Sequence, residues 1–328
     1  MNGISPLRGP GRAVLAFVLA LAAAPAPAQV RATRLALDND AYDFWIPAAT
    51  RPDWDYTNGI EMSVELAGGP LWARRVAPHA PRCAGAGPPD TACAATTLAF
   101  GQKLYTPRQD GPDPVPGERP YAGWLYLSAT GRVATTARQR SIGVEVGVTG
   151  PPSLGKAVHM GWHRIAGFRP PQGWDNQLRF EPGVILRYDE SLLAALRAGD
   201  VRVATLEPEW GADAGNVHVG AHAGVALRAG YAVPHPWSRA ADAGAGPVSI
   251  YALAGVREDA VARDLFLDGH GGSPRVRREP FVWQRELGAG AHVAGVTLEY
   301  RATTQARQYR TASGPHTWSS FELTYRVR

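Results

Sequence analysis

The sequence predicts an all-β protein: a transmembrane antiparallel β-barrel of about twelve strands, with a short helix in one extracellular loop. Three observations predict it. Apolar and polar residues alternate with period two along many long segments. Breakers rich in Gly, Pro, Asp and Asn separate those segments. Beyond the N-terminal leader no apolar helix-length run occurs, and only helices and closed barrels can satisfy their backbone across a bilayer.

The leader comes first. "MNGISPLRGPGR" carries Arg8 and Arg12 and no acid, "AVLAFVLALAAA" is apolar, and "APAPA" places small residues at Ala26 and Ala28. This is the pattern of a signal peptide over residues 1–28. The apolar run is well short of the roughly 20 residues a spanning helix needs. Residues 29–328 then form the barrel domain. Export favours a bridge between the two cysteines, Cys83 and Cys93, over two free thiols.

The strands follow in order. "GIEMSVEL" sets Ile60, Met62, Val64 and Leu66 against Glu61, Ser63 and Glu65. "SIGVEVGVTG", "GVTLEYR" and "SFELTYRVR" repeat the pattern. Strands are expected near 30–40, 56–67, 95–106, 121–133, 139–149, 175–190, 201–212, 216–230, 248–257, 279–290, 292–306 and 316–327. Alternation alone also fits a soluble sandwich with its apolar face buried. The even count, the length of the strands and the aromatics at their ends (Tyr105, Tyr121, Trp124, Trp318) favour the barrel. The last residue, Arg328, departs from the aromatic ending common in such barrels. "PSLGKAVHMGWHRIAGF" breaks the period of two: Leu154, Val158, Trp162 and Ile165 have helical spacing, and His159 and His163 share a helix face.

An up-and-down path carries the densest polar motifs to one rim. Asn39 and Asp40 end the first strand, Tyr56 and Thr57 begin the second, and the helical loop with His163 follows the fifth. The loops around 258–278 and 307–316 are less structured by motif. His163 is the general-base candidate, because a neutral imidazole can take a proton from water. The oxygens of Asn39, Asp40, Asp55 and Thr57 suit a hard cation such as calcium, which would stabilise an oxyanion at an ester carbonyl. Such clusters at strand ends are also ordinary turn formers, and Asp43 and Asp53 read as ordinary loop acids. No H-E-x-x-H or G-x-S-x-G motif occurs. All but two of the 34 basic residues are arginine, the lysines being Lys103 and Lys156. Arginine suits phosphorylated ligands, although compositional bias accounts for most of them, and no basic run points to nucleic acid.

The ordered motifs "DND", "DYTNG", "GQKLYTP", "RPYAGW", "TGPPSLG", "HRIAG" and "GWDNQL" resemble the outer-membrane lipid A 3′-O-deacylase family, from about Leu35 to Pro182 and more loosely beyond. The resemblance implies a twelve-stranded barrel in a Gram-negative outer membrane. It implies removal of an ester-linked acyloxyacyl group from the lipid A of lipopolysaccharide by calcium and a histidine-activated water. It places the catalytic set on Asn39, Asp40, Thr57 and His163, with Asp40 toward the metal. Arg108, Arg119 and His159 become substrate-binding candidates. Three positions depart from the family pattern. His159 replaces a glutamine, Arg108 stands near a missing lysine, and Phe180 replaces a polar residue. Two alternatives are a non-catalytic pore or receptor and a serine-dependent barrel phospholipase. The second lacks a clear Ser/His/Asn order.

Overall fold

The computed structural model describes residues 29–47, 53–69, 93–237 and 247–327. The leader and Cys83 lie outside the described residues, so the Cys83–Cys93 bridge does too; among the described residues no cysteine is free. The strands are β1 (Val30–Asn39), β2 (Asp55–Ala67), β3 (Cys93–Thr106), β4 (Ala122–Ala134), β5 (Arg138–Thr149), β6 (Glu181–Leu192), β7 (Ala194–Ala198), β8 (Val201–Gly215), β9 (His218–Tyr231), β10 (Val248–Asp264), β11 (Phe281–Val293), β12 (Val296–Gln305) and β13 (His316–Arg326). Helix α1 is Gly155–Ala166 and the short α2 is Leu265–Asp268.

Each strand pairs antiparallel with its neighbour, and β1 pairs with β13. The sheet closes where β6 and β7, one after the other, line up along β8. Those two act as a single stave, so the barrel has twelve staves built from thirteen strands. Pairing of β6 with β8 closes the wall without an open seam, as a bilayer requires.

The two faces settle the choice between sandwich and barrel. Register aligns Leu35, Met62, Phe100, Leu127, Val146 and Val184 in one row across six strands. Met62, Phe100, Leu127 and Val184 are exposed, as are Ile250, Leu287 and Leu298 farther round. The inward face is charged. Arg34 lies 2.8 Å from Glu61 and 2.9 Å from Glu322, and Arg187 lies 3.2 Å from Glu145 and 3.3 Å from Asp213. Tyr126 donates to Glu61 at 2.8 Å and Tyr251 to Glu299 at 2.6 Å. An apolar exterior around a paired polar lumen is the pattern of a membrane barrel, the inverse of a soluble sandwich.

Local departures have local causes. The expected strand near 175 starts only at Glu181, because Gly173–Asn176 winds into a 3-10 turn. The segment expected to be loop from 258 carries β10 on to Asp264 and then forms α2. Leu265 and Phe266 of α2 fold into the lumen mouth against Trp124, Ile185 and Val217. The largest buried apolar cluster among the described residues therefore sits inside the barrel top.

The aromatic belt divides in two. Tyr42, Phe44 and Trp45 pack on Tyr300 and Phe321 outside the wall, and Phe44 and Trp45 are exposed, as interface anchors are. Tyr56, Tyr105, Trp124 and Trp318 instead line the lumen, and Tyr121 is buried beside Trp174. The strand-end rings that pointed to a barrel are thus largely internal packing, not a lipid-facing girdle. Composition cannot tell these roles apart, because the pleat assigns the face.

Candidate active site on the outer flank of the rim

Asn39 ends β1, and its Oδ1 accepts from the Ala41 N–H at 2.8 Å, capping the 3-10 turn Asp40–Tyr42. The turn buries Asp40 against the start of β2. There the pairing of β2 with β3 slips between Tyr56 and Asn58. Tyr56 points inward and donates to Asp38 at 2.6 Å, and the next inward position is Gly59, whose backbone faces the same Tyr56 hydroxyl. Thr57 is the extra residue of this bulge, and it is turned out of the inward series. Bulges re-aim side chains in this way beside functional sites. Thr57 Oγ1 lies 3.0 Å from Asp40 Oδ2 and 2.7 Å from Asp53 Oδ1.

Helix α1 packs on the outside of the same wall. Leu104 and Gly123 share their strand faces with the exposed Phe100 and Leu127, and they meet the start of α1. Gly155 approaches so closely that a Cβ there would sit 2.7 Å from the Trp174 ring. Gly167 ends the helix in the left-handed region, φ 73°, and Phe168 N–H returns to His163 O at 2.8 Å. His159 and His163 both face the barrel and are buried, with ring centroids 4.4 Å apart.

Asp53 joins the two halves. Its Oδ2 lies 3.4 Å from His163 Nε2, and its Oδ1 lies 3.8 Å from His159 Nε2. Burial alone would raise its pKa. His159, His163 and the Thr57 hydroxyl outweigh that and hold Asp53 well below the usual carboxylate range. The Asp53 carboxylate is also the main reason His163 is held above the usual imidazole value, against its own burial. Asp40 is pushed well above the carboxylate range, first by burial and then by the charge of Asp53, while Thr57 opposes the shift.

The reading of Asp43 and Asp53 as ordinary loop acids is therefore corrected. Asp53 touches Thr57 and faces both histidines, and Asp43 is fully buried and receives the Ser319 hydroxyl. The only available signal was position: Asp53 lies four residues before Thr57. Asp55, expected among the cation's oxygens, instead begins β2 in the left-handed region, φ 62°, with its carboxylate 3.6 Å from Arg119. Arg119 is also corrected. It is buried, donates to Gln308 at 2.8 Å and lies 4.5 Å over the Tyr105 ring, so it braces the rim from within and is not open to the surface as expected for a lipid phosphate contact. Arg108 is exposed, stacks 5.0 Å over Trp54 and donates to Ser313.

The ring nitrogens of the two histidines are oriented differently. His163 Nδ1 meets the Arg169 carbonyl at 2.5 Å. A carbonyl only accepts, so Nδ1 carries the proton and Nε2 of the neutral ring is a lone pair. His159 Nδ1 receives the Trp174 indole N–H at 3.0 Å. Indole only donates, so this ring carries its proton on Nε2. Asp53, His159 and His163 each offer an atom within 4.8 Å of the others, a spacing that would suit a transition metal. The indole, however, leaves His159 without a lone pair toward that point. Oxygen chemistry fits better. One Thr57 hydroxyl has one proton for two carboxylate oxygens, an excess of negative charge that a hard cation between Asp40 and Asp53 would relieve.

The family model described as outer membrane protein LpxR matches residues 13–327. This chain belongs to the LpxR outer membrane protein family. LpxR from Salmonella typhimurium shares its fold at a TM-score of 0.73 and 18% identity, over 90% of this chain and 100% of that one. The β domain of the Bordetella autotransporter BrkA matches at a TM-score of 0.47 and 10% identity, over 92% of this chain and 100% of that one. No curated protein sequence matches the chain. Family and fold make it an outer-membrane β-barrel protein.

Proposed function

We propose that this LpxR-family barrel is a lipid A 3′-O-deacylase, hydrolysing an ester-linked acyloxyacyl group of lipopolysaccharide. The observation that carries the reading is where the cluster lies. Asp40, Asp53, Thr57 and His163 come together on the outer flank of the rim, where α1 packs outside the wall, and the turn that carries Asp40 leads into the exposed rings of Phe44 and Trp45. The start of β1 and the end of β13 lie at the opposite end of the barrel. With those ends periplasmic, the cluster meets the outer leaflet, where lipid A lies. A pore or receptor would concentrate such groups in the lumen. Here α2 folds into the lumen mouth.

In the reaction, His163 Nε2 takes a proton from water as the water oxygen adds to the ester carbonyl carbon and the carbonyl π pair moves to oxygen. The carbonyl re-forms, the bond from the acyl carbon to the sugar oxygen breaks, and His163 returns its proton to that oxygen. The products are a free acid and a sugar hydroxyl. The Arg169 carbonyl fixes the ring, and Asp53 stabilises the imidazolium as it forms. Asn39 shapes the turn that presents Asp40. Asp40, Asp53 and Thr57 are the residues that would hold calcium, which when bound supplies positive charge for the oxyanion. Arg108 is the remaining candidate for a lipid A phosphate.

Mass spectrometry of lipid A from cells producing the protein tests this. The wild type removes the 3′-linked group, chelation of divalent cations stops the removal, and calcium restores it. Equal acyl loss with His163→Ala would refute the mechanism.

A further inference from the structure

We propose that His159 is a second catalytic group, an uncharged N–H donor to the carbonyl oxygen of the ester as it becomes an oxyanion. The proposal rests on the deacylase reading above and assigns this residue a chemical role within it.

The argument starts from Trp174. Its ring is fully buried, wedged against Tyr121 at 5.0 Å and against Gly155. Its indole N–H therefore has a fixed direction, and it points at His159 Nδ1. That bond leaves His159 one arrangement, with the ring proton on Nε2. His159 is 4% exposed, and its Nε2 has no hydrogen-bond partner. Asp53 Oδ1 is near it at 3.8 Å, within reach of attraction but beyond a hydrogen bond. Leaving a buried donor unmade costs free energy, so a donor held this way toward a site points to an acceptor that arrives with the ligand.

The neighbouring ring supplies the complement. In its neutral form His163 presents a lone pair at Nε2, and His159 presents an N–H at Nε2, one helical turn apart on the same face. A water held by the first and a carbonyl oxygen held by the second are the two partners of ester hydrolysis. The His159 proton stays on His159 throughout. It shortens its bond to the oxygen as negative charge gathers there, and that is how a preorganised donor lowers a barrier. The glutamine expected here from the family pattern also carries an N–H donor, so the exchange keeps the function while the indole replaces the amide's fixed geometry.

The test uses full-length protein in detergent micelles with lipid A as substrate, each variant checked for barrel folding by heat-modifiable migration. His159→Ala lowers kcat by about 10²–10³-fold with little change in KM, the loss expected for one oxyanion donor. His159→Gln restores most of that rate, which a purely structural histidine would not allow. In protein labelled with 15N at histidine, His159 shows its proton on Nε2, and Trp174→Phe abolishes that preference. A rate for His159→Ala close to wild type, a His159→Gln variant as slow as His159→Ala, or a proton on Nδ1 of His159 overturns the proposal. Wild-type protein inactive on lipid A overturns the deacylase reading and the catalytic role with it. That failure is told apart by the nitrogen spectrum, which reports the Trp174–His159 pair without turnover.

Discussion

The lumen mouth and the outer flank of the rim are both buried, polar and aromatic, yet they are organised on opposite principles. In the lumen the described charges largely pair: Arg34 sits between Glu61 and Glu322, and Arg187 between Glu145 and Asp213. Above them, Phe266 stacks on Tyr105 at 4.7 Å and closes the mouth. On the flank, Asp40 and Asp53 share one hydroxyl, His163 faces Asp53 at 3.4 Å, and His159 holds an unmet N–H. Matched charges hold staves together. Unmatched ones have no structural use and cost free energy where they are buried, so they mark where a ligand is expected. Polar burial alone would have pointed to the wider lumen, and only the balance of donors and acceptors separates the two places.

The sharpest way to break this comparison is at the base. His163→Ala lowers lipid A deacylation about 10²–10⁴-fold, the usual worth of a general base, without altering barrel folding. A slow but unfolded variant would leave no distinction between flank and wall. Next in size is Phe266→Ala, which removes a buried ring and costs roughly 3–5 kcal/mol of stability. It should raise conductance in planar bilayers while the folded fraction deacylates at the normal rate. A parallel collapse of deacylation in the folded fraction would mean that the lumen takes part in the chemistry. On the outer wall, Leu287→Arg at the middle of β11 costs about 2–4 kcal/mol in urea titrations of liposome-folded protein. A neutral result there would contradict the assignment of that face to lipid. The smallest effect is Arg108→Ala, about a tenfold rise in KM with kcat kept, as loss of one charge-assisted contact predicts. A fall in kcat instead would move Arg108 from anchoring the substrate to the chemistry.

Much of the barrel was legible because period-two alternation is a direct imprint of the pleat. β2, β5, β12 and β13 were readable from Val, Ile and Leu alternating with Glu, Thr and Arg. Helix α1 was readable for the same reason at a different period. The end of β10 and α2 were not, since Leu265-Phe266-Leu267 is too short to show any period. At the site, residue types suggested His163 and the oxygens of Asn39, Asp40, Asp55 and Thr57, of which Asn39 caps a turn and Asp55 faces Arg119. Asp53 was passed over, because an Asp in a Pro- and Arg-containing loop has no local signature of a shared partner. Arg119 erred the other way: its charge suggested a phosphate, while burial gave it to Asp55, Gln308 and Tyr105.

By itself the sequence determined the staves, their order, the short helix after the fifth strand and the kinds of chemistry available at one rim. These depend on residues near one another along the chain. The tertiary structure decided which side of the wall each group serves. A one-residue bulge turned Thr57 out of the lumen, and packing against Leu104 put α1 outside the barrel. A buried indole chose the nitrogen on which His159 carries its proton. Each is a contact between distant segments, and a period of two, which names the alternating faces, carries no information about what lies against them.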